Sequence, residues 1–170
     1  MITRRRFLQL ALGAVGVAAV PGIYAHWVEP RWVEYVPVEM PLRNLPPHLE
    51  GLTLVQLSDL HIGNRFDWGY IVRALDRVRH LWPDFVVYSG DFITYESDEQ
   101  LEQLADVLSH APLGRLGTAA ILGNHDYGPA WSNPHIAEQV VRCLEDAGIP
   151  VLRNEVSLWA GLQIGGVDDW

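Results

Sequence analysis

Along the chain, short unbroken apolar runs alternate with longer stretches in which apolar residues recur every three or four positions. The first pattern predicts buried strands and the second amphipathic helices. Residues 52–57 are a Leu- and Val-rich run that ends in the polar Ser58-Asp59-Leu60-His61. Ile71, Leu75, Val78 and Leu81 follow at helical spacing, with Pro83 as a stop. A second run, 85–89, ends in Gly90-Asp91, and Leu101, Leu104, Ala105 and Leu108 give a second helical face. The third cycle pairs run 118–122, ending in Gly123-Asn124-His125-Asp126, with Ile136, Val140, Val141 and Leu144 on a helix that ends near Gly148. Residues 151–152, 156–158 and 162–167 read as shorter strands. Upstream, the alternating β-branched and aromatic residues of 32–40 predict a strand, and the proline-bounded 41–47 a loop. Strands and helices alternating at this spacing define an α/β fold with a largely parallel central sheet covered by helices.

In such a sheet the functional groups gather beyond the carboxyl ends of the strands. Three successive strands here end in Asp59 and His61, in Asp91, and in Asn124 and His125. Taken alone, each is more often a helix cap or a packing residue. Recurrence at three consecutive strand ends selects a convergent set of oxygen and imidazole donors, suited to divalent cations. A carboxylate at the end of the middle strand has one oxygen for each of two ions, as two-metal hydrolases require.

Composition narrows the partners. The 12 basic residues are all arginine against 21 acids, a net charge of −9, which argues against a phosphate-backbone footprint, so no nucleic-acid partner is expected. Cys143 is the single cysteine, so no internal disulfide and no cysteine zinc knuckle can form. The amino end is built differently. Thr3-Arg4-Arg5-Arg6-Phe7-Leu8-Gln9 ahead of an apolar segment resembles a twin-arginine export signal, which implies the twin-arginine machinery as a partner and a periplasmic or cell-envelope location. Residues 7–28 carry no formal charge, and at about 1.5 Å per helical residue they reach roughly 33 Å, enough to anchor the chain in a membrane. The expected organisation is therefore a signal or anchor over 1–25 and one domain over 26–170.

Ser58-Asp59-Leu60-His61, Gly90-Asp91 and Gly123-Asn124-His125-Asp126 together resemble the first three motifs of the calcineurin-like metallophosphoesterases. The stretch from Gly148 to Glu155 and the sequence Gly165-Gly166-Val167-Asp168-Asp169 resemble its exported bacterial phosphodiesterase branch. The resemblance implies a layered α/β sandwich and two divalent metal ions, Mn, Fe or Zn. It implies that Asp59 and His61 bind the first ion, Asp91 bridges both, Asn124 binds the second, His125 faces the leaving group and Asp126 orients His125. It further implies hydrolysis of a phosphomonoester or phosphodiester, either a small molecule or a lipid-linked sugar nucleotide.

The family pattern also contains later histidines, a lone His and then a Gly-His-x-His stretch, and no His follows His135 in these 170 residues. The chain is thus expected to represent the truncated first half of the domain, with the second metal site incomplete. An inactive envelope protein acting by binding alone is the alternative. Asp168 and Asp169, at the end of the last strand, read as acids in a solvated turn rather than as ligands.

Overall fold

The computed structural model describes residues 3–6, 19, 21–25, 33–63 and 68–168. The chain divides into two compact units, Met1–Met40 and Pro41–Trp170. In the first, residues 4–6 and 21–23 are helical, and no described helix is long and apolar enough to cross a membrane. Most of the proposed export signal and anchor, 7–18, 20 and 26–28, lies outside the described residues. The strand expected over 32–40 is not formed where it is described, at 33–40, where Val36 and Val38 are exposed. Alternation supplies a strand's side chains, but a strand also needs a ladder to complete.

In the second unit the predicted cycles appear in order. Strand β1 (Leu54–Leu57), helix α1 (Trp68–Arg79), strand β2 (Phe85–Ser89), helix α2 (Glu99–Leu108), strand β3 (Gly117–Ile121) and helix α3 (Pro134–Asp146) precede a hairpin of β4 (Glu155–Trp159) and β5 (Leu162–Gly166). The first three strands form a parallel sheet in the order β1-β2-β3, with Leu54 opposite Phe85 and Phe85 opposite Gly117. Residues 151–152, expected as a strand, make a single parallel bridge from Val151 to Ala120. Strands β4 and β5 pair antiparallel in a sheet of their own.

Period-two alternation sorts the sheet's side chains onto two faces. Val86, Tyr88, Ala120 and Leu122 pack under the helices with Ile71, Leu75, Leu104, Val140 and Leu144. Each fully buried Leu or Ile in that layer contributes roughly 1.5–3 kcal/mol. Phe85, Ala119, Val87 and Ile121 face the other way, against Leu152, Trp159, Leu162 and Ile164. The indole of Trp159 stacks on Phe85 at 5.7 Å and lies against the backbone of Gly117, where a Cβ would sit 2.3 Å from the ring. Helices, parallel sheet and hairpin are the three layers.

Two helical faces differ from the sequence reading. Helix α1 ends at Arg79, and Leu81, expected on its buried face, is exposed. The helix gives way to a turn ahead of Pro83: Leu81 and Trp82 donate N–H bonds back three residues, and Trp82 takes a left-handed φ of 52°. On α2, Ala105 is exposed and Val107 is fully buried in its place. The buried arc of α2 is Leu101, Leu104, Val107 and Leu108, and α3 packs against this helix.

Candidate metal centre

The centre begins with a backbone register that outlasts the strands. Past the end of β1, Asp59 donates its N–H to the Gly90 carbonyl (3.1 Å), His61 to the Asp91 carbonyl (2.9 Å) and Ile62 to the Phe92 carbonyl (2.8 Å). The two loops therefore run side by side to the parallel bridge between Ile62 and Ile93. To follow that path Asp59, His61 and Asp91 take positive φ values of 57°, 43° and 56°. Left-handed backbone without glycine costs roughly 1–3 kcal/mol per residue and persists where the surroundings over-determine it, most often at functional sites.

Strand β3 approaches from the other side. Gly90 and Gly123 meet so closely that a Cβ on Gly90 would lie 2.4 Å from the Gly123 nitrogen, and one on Gly123 would lie 2.2 Å from Asp91 Oδ1. Two glycines thus let the Asp91 carboxylate stand against the start of the next loop. That loop is a single 3-10 turn, Asn124–Tyr127. Its His125 donates a backbone N–H to Asp91 Oδ1 at 3.1 Å.

Side chains from the three strand ends lie close together. His61 Nε2 lies 3.5 Å from Asp59 Oδ1 and 3.6 Å from Asp91 Oδ2. Donor atoms of His61, Asp91 and His125 fall within 4.8 Å of one another, and the two rings meet edge to face with centroids 4.8 Å apart. Asn124 lines the same open cleft as Asp59 and Asp91. The donor chemistry fits a divalent ion: the Nδ1 of His61 is engaged by the Thr94 hydroxyl at 3.2 Å, which leaves Nε2 toward the two carboxylates. Fixing one ring nitrogen to present the other is how metal-ligating histidines are held.

Asp126 serves a different bond set from the one expected. Its buried carboxylate accepts the N–H groups of Gly123 and Asp91 on Oδ2, both at 2.9 Å, and those of Phe92 (2.8 Å) and Ile93 (3.2 Å) on Oδ1. None of the four goes to the His125 ring. The side chain binds the loop after β2 to the loop after β3, and burial pushes its carboxyl up to about 6 against the opposing pull of these bonds.

Asp168 is likewise not in a solvated turn. Its side chain is 6% exposed, accepting from Tyr127 Oη at 2.5 Å and from Arg153 Nε at 2.6 Å, and it borders the cleft. Arg153 also reaches Glu138 on α3 at 2.5 Å. Burial, then the Asp168 carboxylate, pushes the Tyr127 phenol up to about 12. This cluster ties the end of the hairpin to the His125 loop. Its members are far apart in sequence, and only the acid at the end of β5 carried a signal. Thr94 carried none, because one hydroxyl in a loop is unremarkable until a histidine is seen beside it.

The carboxyl ends of three parallel strands thus bring carboxylates and imidazoles together as a group able to hold a metal ion. Residues 52–166 match the family described as Calcineurin-like phosphoesterase, and the chain belongs to that family. It is 35% identical over 107 residues to the UDP-2,3-diacylglucosamine pyrophosphatase LpxG of Chlamydia trachomatis, covering 62% of this chain and 32% of that protein. It is 29% identical over 161 residues to the phosphodiesterase YaeI of Escherichia coli, covering 94% and 57%. A transmembrane protein with metallophosphoesterase domain from Danio rerio is 36% identical over 149 residues, covering 85% and 31%. The chain thus spans between 31% and 57% of the length of these relatives.

Proposed function

We propose that this chain carries the metal-holding site of a phosphoester hydrolase, with Asp59 and His61 on a first divalent ion, Asp91 shared with a second, and Asn124 on the second. The observation that carries the reading is the continuation of the β1–β2 register past the strands, which sets Asp59, His61 and Asp91 beside one another, with His61 Nε2 3.5 Å from one carboxylate and 3.6 Å from the other. Such ions, Mn, Fe or Zn by donor type, would polarise phosphoryl oxygens and acidify water when bound. The chain's own residues do the rest. Asp91 holds one oxygen on the His125 N–H and turns the other toward His61. Thr94 keeps His61 oriented, and Asp126 fixes both loops. His125, as imidazolium, gives a ring proton to the departing oxygen, a role worth about 10²–10⁴-fold.

The named activities of LpxG and YaeI favour a phosphodiester or phosphoanhydride, and a lipid-linked sugar nucleotide is the substrate class we favour. The paired Arg4-Arg5 before Phe7-Leu8 supports export by the twin-arginine route to the envelope. Fractionation of the Arg4→Lys/Arg5→Lys double variant is expected to find it retained in the cytoplasm.

The reading is tested by hydrolysis of bis(4-nitrophenyl) phosphate with excess Mn²⁺ and by metal analysis of the same samples. Asp91→Asn is expected to lose at least about 100-fold in rate together with its metal. His125→Ala is expected to keep metal and lose rate alone. Wild-type turnover in Asp91→Asn would overturn the two-metal reading, and metal retention without turnover in the parent chain would favour the alternative of a binding-only protein.

A further inference from the structure

Beside the candidate centre stands an indole that the metal chemistry does not use. Trp131 is 55% exposed, and its ring lies 5.9 Å from that of His125 at an angle of 59°. An exposed tryptophan next to a reactive imidazole is costly surface, and here the backbone is also strained to present it. Ala130 and Trp131 both take a φ of 55°, two successive left-handed residues without a glycine. The segment is fastened on either side: Gly128 donates its N–H to the His125 carbonyl (3.0 Å), Trp131 to the Gly128 carbonyl (2.9 Å) and Asn133 to the Tyr127 carbonyl (2.9 Å). Asn133 then caps α3 by accepting the His135 N–H at 3.1 Å. The backbone that carries the indole is therefore fastened, while the ring itself stands exposed beside His125 rather than folded onto the core.

We infer that Trp131 is a specificity residue, a stacking platform for a planar ring carried on the leaving-group side of the substrate, as in an aryl ester or a nucleotide ester. The inference rests on the proposed placement of His125 beside the leaving group. Geometry supplies the link, since a group departing toward His125 passes the indole next to it. An indole face gains stacking energy with any flat unsaturated ring and little with a short alkyl group. The platform does not read hydrogen bonds, so it selects a shape class rather than one base.

The test uses the full chain with saturating Mn²⁺ and two probes that cannot be hydrolysed, phenylphosphonate and methylphosphonate, titrated by calorimetry. The parent chain is expected to bind the phenyl compound about tenfold more tightly. Trp131→Ala is expected to bring the ratio of the two dissociation constants close to one, and Trp131→Phe to retain most of it. An unchanged ratio in Trp131→Ala overturns the inference while leaving the metal site standing. So does loss of both ligands in that variant alone, which would make Trp131 a structural residue. Binding of neither phosphonate by the metal-treated parent chain would instead remove the phosphoester reading, and the inference with it.

Discussion

Two buried aspartates secure opposite ends of the parallel sheet, and they do so by opposite means. Asp84, at the amino end, accepts the Thr53 N–H at 2.9 Å and pairs with the Arg115 guanidinium; the backbone bond, with Arg115, holds its carboxyl below the usual range against desolvation. Asp126, at the carboxyl end, is fully buried and surrounded by four backbone N–H groups, and burial still pushes its carboxyl up to about 6. At the amino end a charge is matched by a charge. At the carboxyl end a carboxylate matched by backbone dipoles rather than by a charge orders two loops, and those loops hold Asp91, Asn124 and His125. The burial of Asp126 and the left-handed backbone at Asp59, His61 and Asp91 thus fall together at the end where the chemistry is proposed.

The largest effect expected from this contrast is at Asp126. An amide has one oxygen, so Asp126→Asn can keep the Oδ1 pair or the Oδ2 pair of N–H bonds but not both, and its NH₂ then faces two donors. At about 1–3 kcal/mol for each stranded N–H, the variant should lose roughly 2–6 kcal/mol of stability. Urea denaturation measures it. A loss no greater than that of Asp84→Asn would break the contrast.

The next effect sharpens the contrast by touching geometry alone. Gly123→Ala sets a Cβ 2.2 Å from Asp91 Oδ1 and 2.7 Å from its nitrogen, so the carboxylate or the loop must move. Overpacking of this kind costs about 1–3 kcal/mol. The greater consequence is for metal: equilibrium dialysis should find Mn²⁺ affinity lowered by about tenfold or more while the fold persists. Unaltered affinity would mean that the close approach of the two loops is incidental to the centre.

The centre was legible in the sequence because each ligand candidate directly follows an apolar run, and the end of a run marks the end of a strand whatever the exact register. β2 was bounded to the residue for the same reason. What could not be read were properties of the assembled sheet. Asp and His enter the left-handed region more readily than most residues but do not require it, so the positive φ at Asp59, His61 and Asp91 appears only when the two loops pair. The role of Asp126 beside His125 came from the family resemblance alone, whereas the bonds its carboxylate makes could not be read from the sequence, since its four donors come from two loops, one of them more than thirty residues away. Ala105 and Val107 are both apolar, and which of them is buried depends on the side from which α3 approaches. Val36 and Val38 had a strand's pattern without a ladder to join.

The smallest effect is at the amino end, where pH and salt separate its two components. Because the Asp84 carboxyl is held below its ordinary value, its contribution to stability is present in full above the unfolded value, about pH 4, and is lost as pH falls through the lower, folded one. Asp84→Asn should therefore melt below the parent chain at pH 7, keep the same deficit at pH 5, and approach the parent as the pH falls below about 4. Arg115 is more than half exposed, so its share of the pairing is screened by salt, while the Thr53 N–H bond is not. Arg115→Ala should accordingly cost less than Asp84→Asn, and its deficit should shrink in 1 M NaCl (a Debye length of about 3 Å) more than that of Asp84→Asn. If the deficit of Asp84→Asn persisted unchanged into strong acid, the carboxylate's charge would not be what holds the amino end, and the two ends of the sheet would be secured by the same means after all.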